Sequence, residues 1–133
     1  MILKAGTILI NKDKVGLIYR KDYNDYTFPK GHLEKNESLI ECAIRETNEE
    51  TKREVSIILN NPLFIDKYID SNNNECECHY FLVRDNGKSD NKSLEVHDLL
   101  WIEYDKVYEL LSYDSLKKHW LEVKDTVKNY IGE

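Results

Sequence analysis

Apolar, β-branched runs alternate with short polar breaks along the first part of the chain. Residues 2–10 form one run and residues 15–19 a second, divided by the polar turn Asn11-Lys12-Asp13-Lys14, and both read as strands. Residues 21–25 are polar and loop-like and lead into Phe28-Pro29-Lys30-Gly31-His32. The period then changes. Ile40, Ala43, Ile44, Thr47 and Thr51 fall on one stripe at helical spacing. Ser38 followed by Glu41 has the form of a capping box, in which each side chain satisfies a free backbone amide. Residues 55–59, 63–69 and 79–83 read as strands, separated by Asn60-Asn61-Pro62 and by a polar tip at 71–74. A loop at 85–93 and a short strand at 99–102 follow. A second amphipathic helix closes the chain, with Leu116, Trp120, Val123, Val127 and Ile131 on its inner face. With no internal repeat and no linker, the pattern predicts one α/β domain over residues 1–133.

Composition narrows the function classes. A chain of 133 residues supports one self-sufficient core. The apolar stretch at residues 8–10 is too short to span a bilayer, and Met1-Ile2-Leu3-Lys4 lacks the form of an export signal, so no membrane partner is expected. Cys42, Cys76 and Cys78 are odd in number and form no CxxC pair, which predicts reduced thiols in a cytoplasmic protein. The net charge of −6 argues against nucleic-acid binding by bulk electrostatics. It does not argue against a phosphorylated small molecule, because a bound divalent cation inverts the local sign. Nine tyrosines against three phenylalanines supply half-buried packing residues and candidate stacking platforms.

The chemistry concentrates on the first helix. At 100° per residue, Glu46, Glu49 and Glu50 lie within an arc of roughly 100° that borders the apolar stripe. Glu46–Glu49 and Glu46–Glu50 are like-charge pairs at i,i+3 and i,i+4, each costing about 0.2–0.5 kcal/mol. They also stand near the helix C-terminus, where the macrodipole disfavours anions by roughly 0.3–1 kcal/mol each. One reading is a solvated acidic face tied into pairs such as Glu41–Arg45 and Arg45–Glu49. The other is a site that tolerates these penalties for function, since converging carboxylates suit a hard cation such as magnesium.

The surrounding residues favour the second reading. Gly31, Glu37, Arg45-Glu46 and Glu49-Glu50 reproduce the spacing of the Nudix box: glycine, five residues, glutamate, seven residues, then Arg-Glu-x-x-Glu-Glu. Six fixed identities at ordinary residue frequencies match by chance on the order of once in ten million starting positions. The chain departs from the box at Thr47 and Arg53, where apolar residues are usual, and at Lys52, where glycine is usual. Either the helix runs on past Lys52, or Lys52 takes a left-handed conformation at about 1–2 kcal/mol. Phe28-Pro29-Lys30-Gly31-His32-Leu33-Glu34 resembles the segment that introduces the box in the asymmetrical diadenosine tetraphosphate hydrolases, a Nudix subfamily. Arg45-Glu46-Thr47, the strand His79-Tyr80-Phe81-Leu82, and Ser93-Leu94-Glu95-Val96 ahead of Trp101-Ile102 resemble the same group.

The resemblance implies an α/β/α sandwich with a mixed sheet between helices. It implies that Glu46, Glu49 and Glu50 hold magnesium, with manganese as a substitute, helped by the Lys30 carbonyl and by Glu95. Arg45 would orient the helix carboxylates, Gly31 would open the box, and Glu37 would support the metal indirectly or through water. Lys30 and His32 would contact phosphate oxygens, and Tyr80 and Tyr113 would sandwich a nucleobase. Glu46 and Glu95 are both candidates for the general base that takes a proton from water. The implied function is asymmetrical cleavage of a dinucleoside polyphosphate. The alternatives are pyrophosphate removal from a nucleoside triphosphate or a triphosphorylated RNA end, and a Nudix-like regulator that binds nucleotide without turnover. A patch of Lys88, Lys92, Lys117 and Lys118 is the feature that favours the RNA end.

Overall fold

A computed structural model describes residues 1–132 of the protein. Its centre is β1 (Ile2–Asn11), in which residues 5 to 10 are all buried. A strand buried on both sides belongs in the middle of a sheet. It lies between β2 (Lys14–Arg20), paired antiparallel through a turn with Lys12 at φ 54°, and β7 (Glu75–Lys88), paired parallel. The three-residue strands β3 (Asp25–Thr27) and β4 (Lys30–His32) pair with β2 and β1. Outside β7 run β5 (Arg53–Ile57) and β6 (Phe64–Ile69), and β8 (Asp98–Glu103) adds to β2. One parallel pair among antiparallel ones makes the sheet mixed.

Alternation along β1 and β7 divides the interior into two cores. Ala5 and Phe81 point to one face, where Cys42 and Ala43 of α1 (Leu39–Thr51) cover them. Ile8, Ile10, Tyr80 and Leu82 point to the other. There they meet Val107 of the short α2 (Val107–Leu110) and Leu116, Trp120, Val123 and Val127 of α3 (Asp114–Lys128). The result is the α/β/α sandwich that the sequence implied.

Helix α1 starts as its sequence predicts. The Ser38 side chain accepts from the Glu41 amide at 3.1 Å and the Glu41 carboxylate accepts from the Ser38 amide at 2.9 Å. At its other end Lys52 takes the left-handed conformation (φ 56°, ψ 37°), and its amide bonds the Asn48 carbonyl at 2.9 Å. The two other departures from the box also have partners. Thr47 is fully buried, and its hydroxyl pairs with that of Thr7 on β1 at 2.7 Å. Arg53 makes a two-pronged bond to Asp85 at 2.8 and 2.7 Å.

Candidate active site

Gly31 determines how the site closes. It sits on β4 facing α1, and a Cβ added there would lie 1.9 Å from the Glu46 carboxyl carbon. Only glycine lets the Glu46 carboxylate press against the β4 backbone. Glu46 is consequently 8% exposed, and burial, followed by the charge of Glu50, raises its pKa to about 7. The buried face of α1 is therefore turned from the stripe read in the sequence, taking in Cys42 and Glu46 while Ile40 and Ile44 stay half-buried.

Arg45 is the hub of the acidic residues. Its guanidinium bonds Glu37 at 2.6 and 3.0 Å, Glu34 at 3.2 Å, Glu46 at 3.3 Å and Glu49 at 3.2 Å, and it donates to the His32 carbonyl at 3.0 Å. The bond from Arg45 is the main force holding the Glu37 pKa below its ordinary value. Arg45 thereby links Glu37 to Glu46 and Glu49.

Glu95 reaches this helix from a loop that is stapled to it. The Ser89 amide bonds the Lys52 carbonyl at 2.9 Å, the Asn91 side chain bonds the Asn48 carbonyl at 2.7 Å, and the His97 amide bonds the Glu50 carbonyl at 2.9 Å. Within the loop, Ser89, Asn91 and Ser93 each accept from the amide two residues on. One carboxylate oxygen from each of Glu46, Glu49 and Glu95 then lies within 4.8 Å of the other two. Three carboxylate oxygens converging in this way are a donor set that fits a hard divalent cation. Glu50 stands outside this group: it accepts from the Lys30 amide at 2.8 Å and lies 3.6 Å from the His97 ring. His97 carried no partner pattern in the sequence, because only the loop's return to α1 gives it one.

Two clefts open beside the cluster. One, of about 610 Å³, is lined by Glu46, Glu50, Glu95 and His97. The other, of about 570 Å³, is lined by Asp66, Tyr68, Tyr113 and Ser115. They share a wall made of Lys4, Arg20, Tyr23, Lys30 and His32. Lys4, Arg20, Tyr23 and Tyr68 are site residues that the sequence did not single out. Strand pairing brings Lys4, Arg20 and Tyr68 to one place, and the turn between β2 and β3 adds Tyr23.

The expected pair of base-stacking tyrosines is corrected by the fold. Tyr80 is fully buried, with Phe64 stacked on it at 4.8 Å and Phe28 edge-on at 5.8 Å, so no ring face is open to a base. Cys78, Tyr80 and Leu82, alternate positions at the centre of β7, point into the larger core. Tyr113, the N-cap of α3, is 43% exposed in the second cleft, with its hydroxyl bonded to Asp25 and Arg20. The three cysteines are free thiols, and no described helix is long and apolar enough to cross a membrane.

The family model described as "NUDIX domain" matches residues 2–124. Among solved structures, the chain is similar to an Ap4A hydrolase from C. elegans in a binary complex, with 20% identity and a TM-score of 0.80 over 97% of this chain and 99% of that one. It is similar to a NUDIX-family hydrolase from Clostridium perfringens at 19% identity and a TM-score of 0.76, covering 94% and 97% of the two chains. It also resembles a mutator MutT protein from Bacillus halodurans at 23% identity and a TM-score of 0.70, covering 93% and 82%.

Proposed function

The chain belongs to the NUDIX family, and on that premise we propose that it is a magnesium-dependent hydrolase that cuts dinucleoside polyphosphates asymmetrically, giving ATP and AMP from diadenosine tetraphosphate. The observation that carries the reading is the pair of clefts joined by one basic wall. Glu46 and Glu95 of the carboxylate cluster line the first, a half-exposed Tyr113 lines the second, and Lys4, Arg20, Lys30 and His32 lie between them. A polyphosphate with a nucleoside at each end needs such a groove. A nucleoside triphosphate fills only part of it.

Glu46, Glu49 and Glu95 would hold the magnesium, with Glu50 and the Lys30 carbonyl beside them. When bound, the ion neutralises phosphate oxygens and lowers the pKa of a coordinated water. The chain's own residues do the rest. Lys30, Lys4 and His32 align the phosphates along the wall, and Arg45 and Glu37 hold the glutamates against Gly31. Glu46 or Glu95 accepts the proton of the attacking water, a role worth roughly 10²–10⁴-fold. Tyr113 offers its exposed ring to one base.

A panel of diadenosine tetraphosphate, single nucleoside triphosphates and triphosphorylated RNA, with products separated by chromatography, tests the reading. The expected result is ATP plus AMP, with kcat/KM for the dinucleotide above that for any triphosphate. Two ADP molecules would place attack at the wrong phosphate. Pyrophosphate as the dominant product, from nucleotide or RNA, would replace the reading with a pyrophosphohydrolase. Binding without any product would leave a regulator.

A further inference from the structure

Among the described residues, three buried side-chain oxygens have no hydrogen-bond partner: the Thr27 Oγ1, the Asp66 Oδ1 and the Tyr80 hydroxyl. Thr27 and Asp66 both line the second cleft, although they are only 1% and 4% exposed. A buried polar atom without a partner costs folding free energy, and a ligand that supplies the partner removes the cost. Each residue is placed by its strand. Asp25 and Thr27 are alternate positions of β3 and share one side of it, and Asp25 accepts from the Tyr113 hydroxyl. Asp66 and Tyr68 are alternate positions of β6, and Tyr68 lines the same cleft.

Asp66 is the more demanding of the two. Its Oδ1 lies 3.4 Å from the His119 Nε2, yet no hydrogen bond completes the approach. The His119 ring is held where it is, stacked on Phe64 at 4.6 Å with its other nitrogen 3.3 Å from Glu122. Burial is the main force raising the Asp66 pKa, and the charge of His119 opposes it. A carboxyl group here repels phosphate, so this part of the cleft suits the uncharged end of a nucleotide. Ile2, Ile69 and Leu116 line it as well and give a flat ring apolar contact. What the Asp66 oxygen lacks is a neutral N–H donor, and a nucleobase amino group is one.

We propose that Asp66 selects the nucleobase in the second cleft: its free carboxyl oxygen accepts from the exocyclic amino group of a purine, while the Thr27 hydroxyl bonds a ring nitrogen of the same base. The protein then prefers amino-bearing purines to hypoxanthine, which has a carbonyl in place of the adenine amino group. This rests on the reading that one nucleoside of the substrate lies against Tyr113, but base selection is measurable without cleavage.

The probes are AMP, GMP and IMP, titrated calorimetrically into the metal-free protein in chelator. The better of AMP and GMP should bind about tenfold or more tighter than IMP, the loss expected of a hydrogen bond to a charged group, and it identifies the purine read. Asp66→Asn should bring the affinities together, because its amide accepts from an amino group in one orientation and donates to the hypoxanthine carbonyl in the other. Thr27→Val should weaken the preferred nucleotide several-fold without lowering the melting temperature, since its hydroxyl has no partner in the protein. Glu75→Gln removes the same charge from an exposed position of β7 and should keep the preference. In turnover, diinosine tetraphosphate should show a higher KM than diadenosine tetraphosphate in wild-type protein and the same KM in Asp66→Asn, a change in selectivity that a merely structural role of Asp66 does not produce. Equal binding of all three nucleotides by wild-type protein, or no binding of any, overturns the proposal, as does a preference that survives in a folded Asp66→Asn protein. A preference that depends on Asp66, in a protein that cleaves no nucleotide, supports the base site and removes the proposed activity. Cleavage of diadenosine and diinosine tetraphosphate with equal KM does the reverse.

Discussion

Glu46 carries the largest electrostatic tension in the site, because burial and three neighbouring glutamates oppose its charge while Arg45 alone favours it. The folded protein keeps Glu46 protonated up to about pH 7, whereas an unfolded glutamate ionises at its ordinary, lower value. The stability this group contributes is full below the ordinary glutamate range and is lost as pH rises through about 7. The loss is on the order of 3 kcal/mol at most. Urea unfolding in chelator at pH 5 and pH 8 should show wild-type protein losing more stability than Glu46→Gln, and saturating magnesium should remove the difference. Parallel losses in the two proteins would show that Glu46 is not strained. Gly31→Ala tests the same contact from the other side. A methyl group in the space of the Glu46 carboxyl carbon displaces that carboxylate, and misplacement of a reacting group by about 1 Å costs roughly a hundredfold in rate. An active Gly31→Ala enzyme would mean that Glu46 works from another position.

At the scale of elements, the end of α1 and the loop that returns to it decide how well the cluster is held. Lys52 occupies a left-handed position where the family has glycine, so Lys52→Gly should raise stability by about 1 kcal/mol and leave activity unchanged. A lower melting temperature would mean that the Lys52 side chain stabilises the structure beyond its backbone strain. Asn91 ties the loop to Asn48, and Asn91→Ala should free Glu95. With a positioned base worth roughly a hundredfold or more, an expected loss of about tenfold in kcat, with little change in melting temperature, reflects partial misplacement. Unchanged kcat would show that the loop is held without Asn91. These elements differ in how plainly the sequence announces them. β1, β2, α1 and α3 follow from period and capping, since each buries one or two faces of apolar side chains, and β8 follows from a short apolar run that is half-buried. β3 and β4 have three residues each, too short for any period to register. β7 extends from Glu75 to Lys88, well beyond its apolar centre, because its polar ends pair with β6 and β5.

For the whole molecule, the site is a meeting of segments far apart in the chain, and that limits what spacing can reveal. Glu46 and Glu49 were legible because they share a helix, and Glu95 was visible by family likeness. Lys4 and Tyr68 meet Lys30 through the pairing of β1 with β4 and with β7, and of β6 with β7, which no local pattern announces. Tyr80 was misjudged for the converse reason: residues 79–83 were read as a strand, but not which of its faces met the larger core. We propose this assembly as a metal-dependent catalyst of phosphoanhydride cleavage. Its most direct test is a magnesium titration of diadenosine tetraphosphate turnover in wild-type protein and Glu49→Gln, with products quantified by chromatography. ATP and AMP should form in equal amounts and only with added magnesium, with no turnover by a folded Glu49→Gln protein at any magnesium concentration. Undiminished turnover in chelator, or a fully active Glu49→Gln variant, would contradict it.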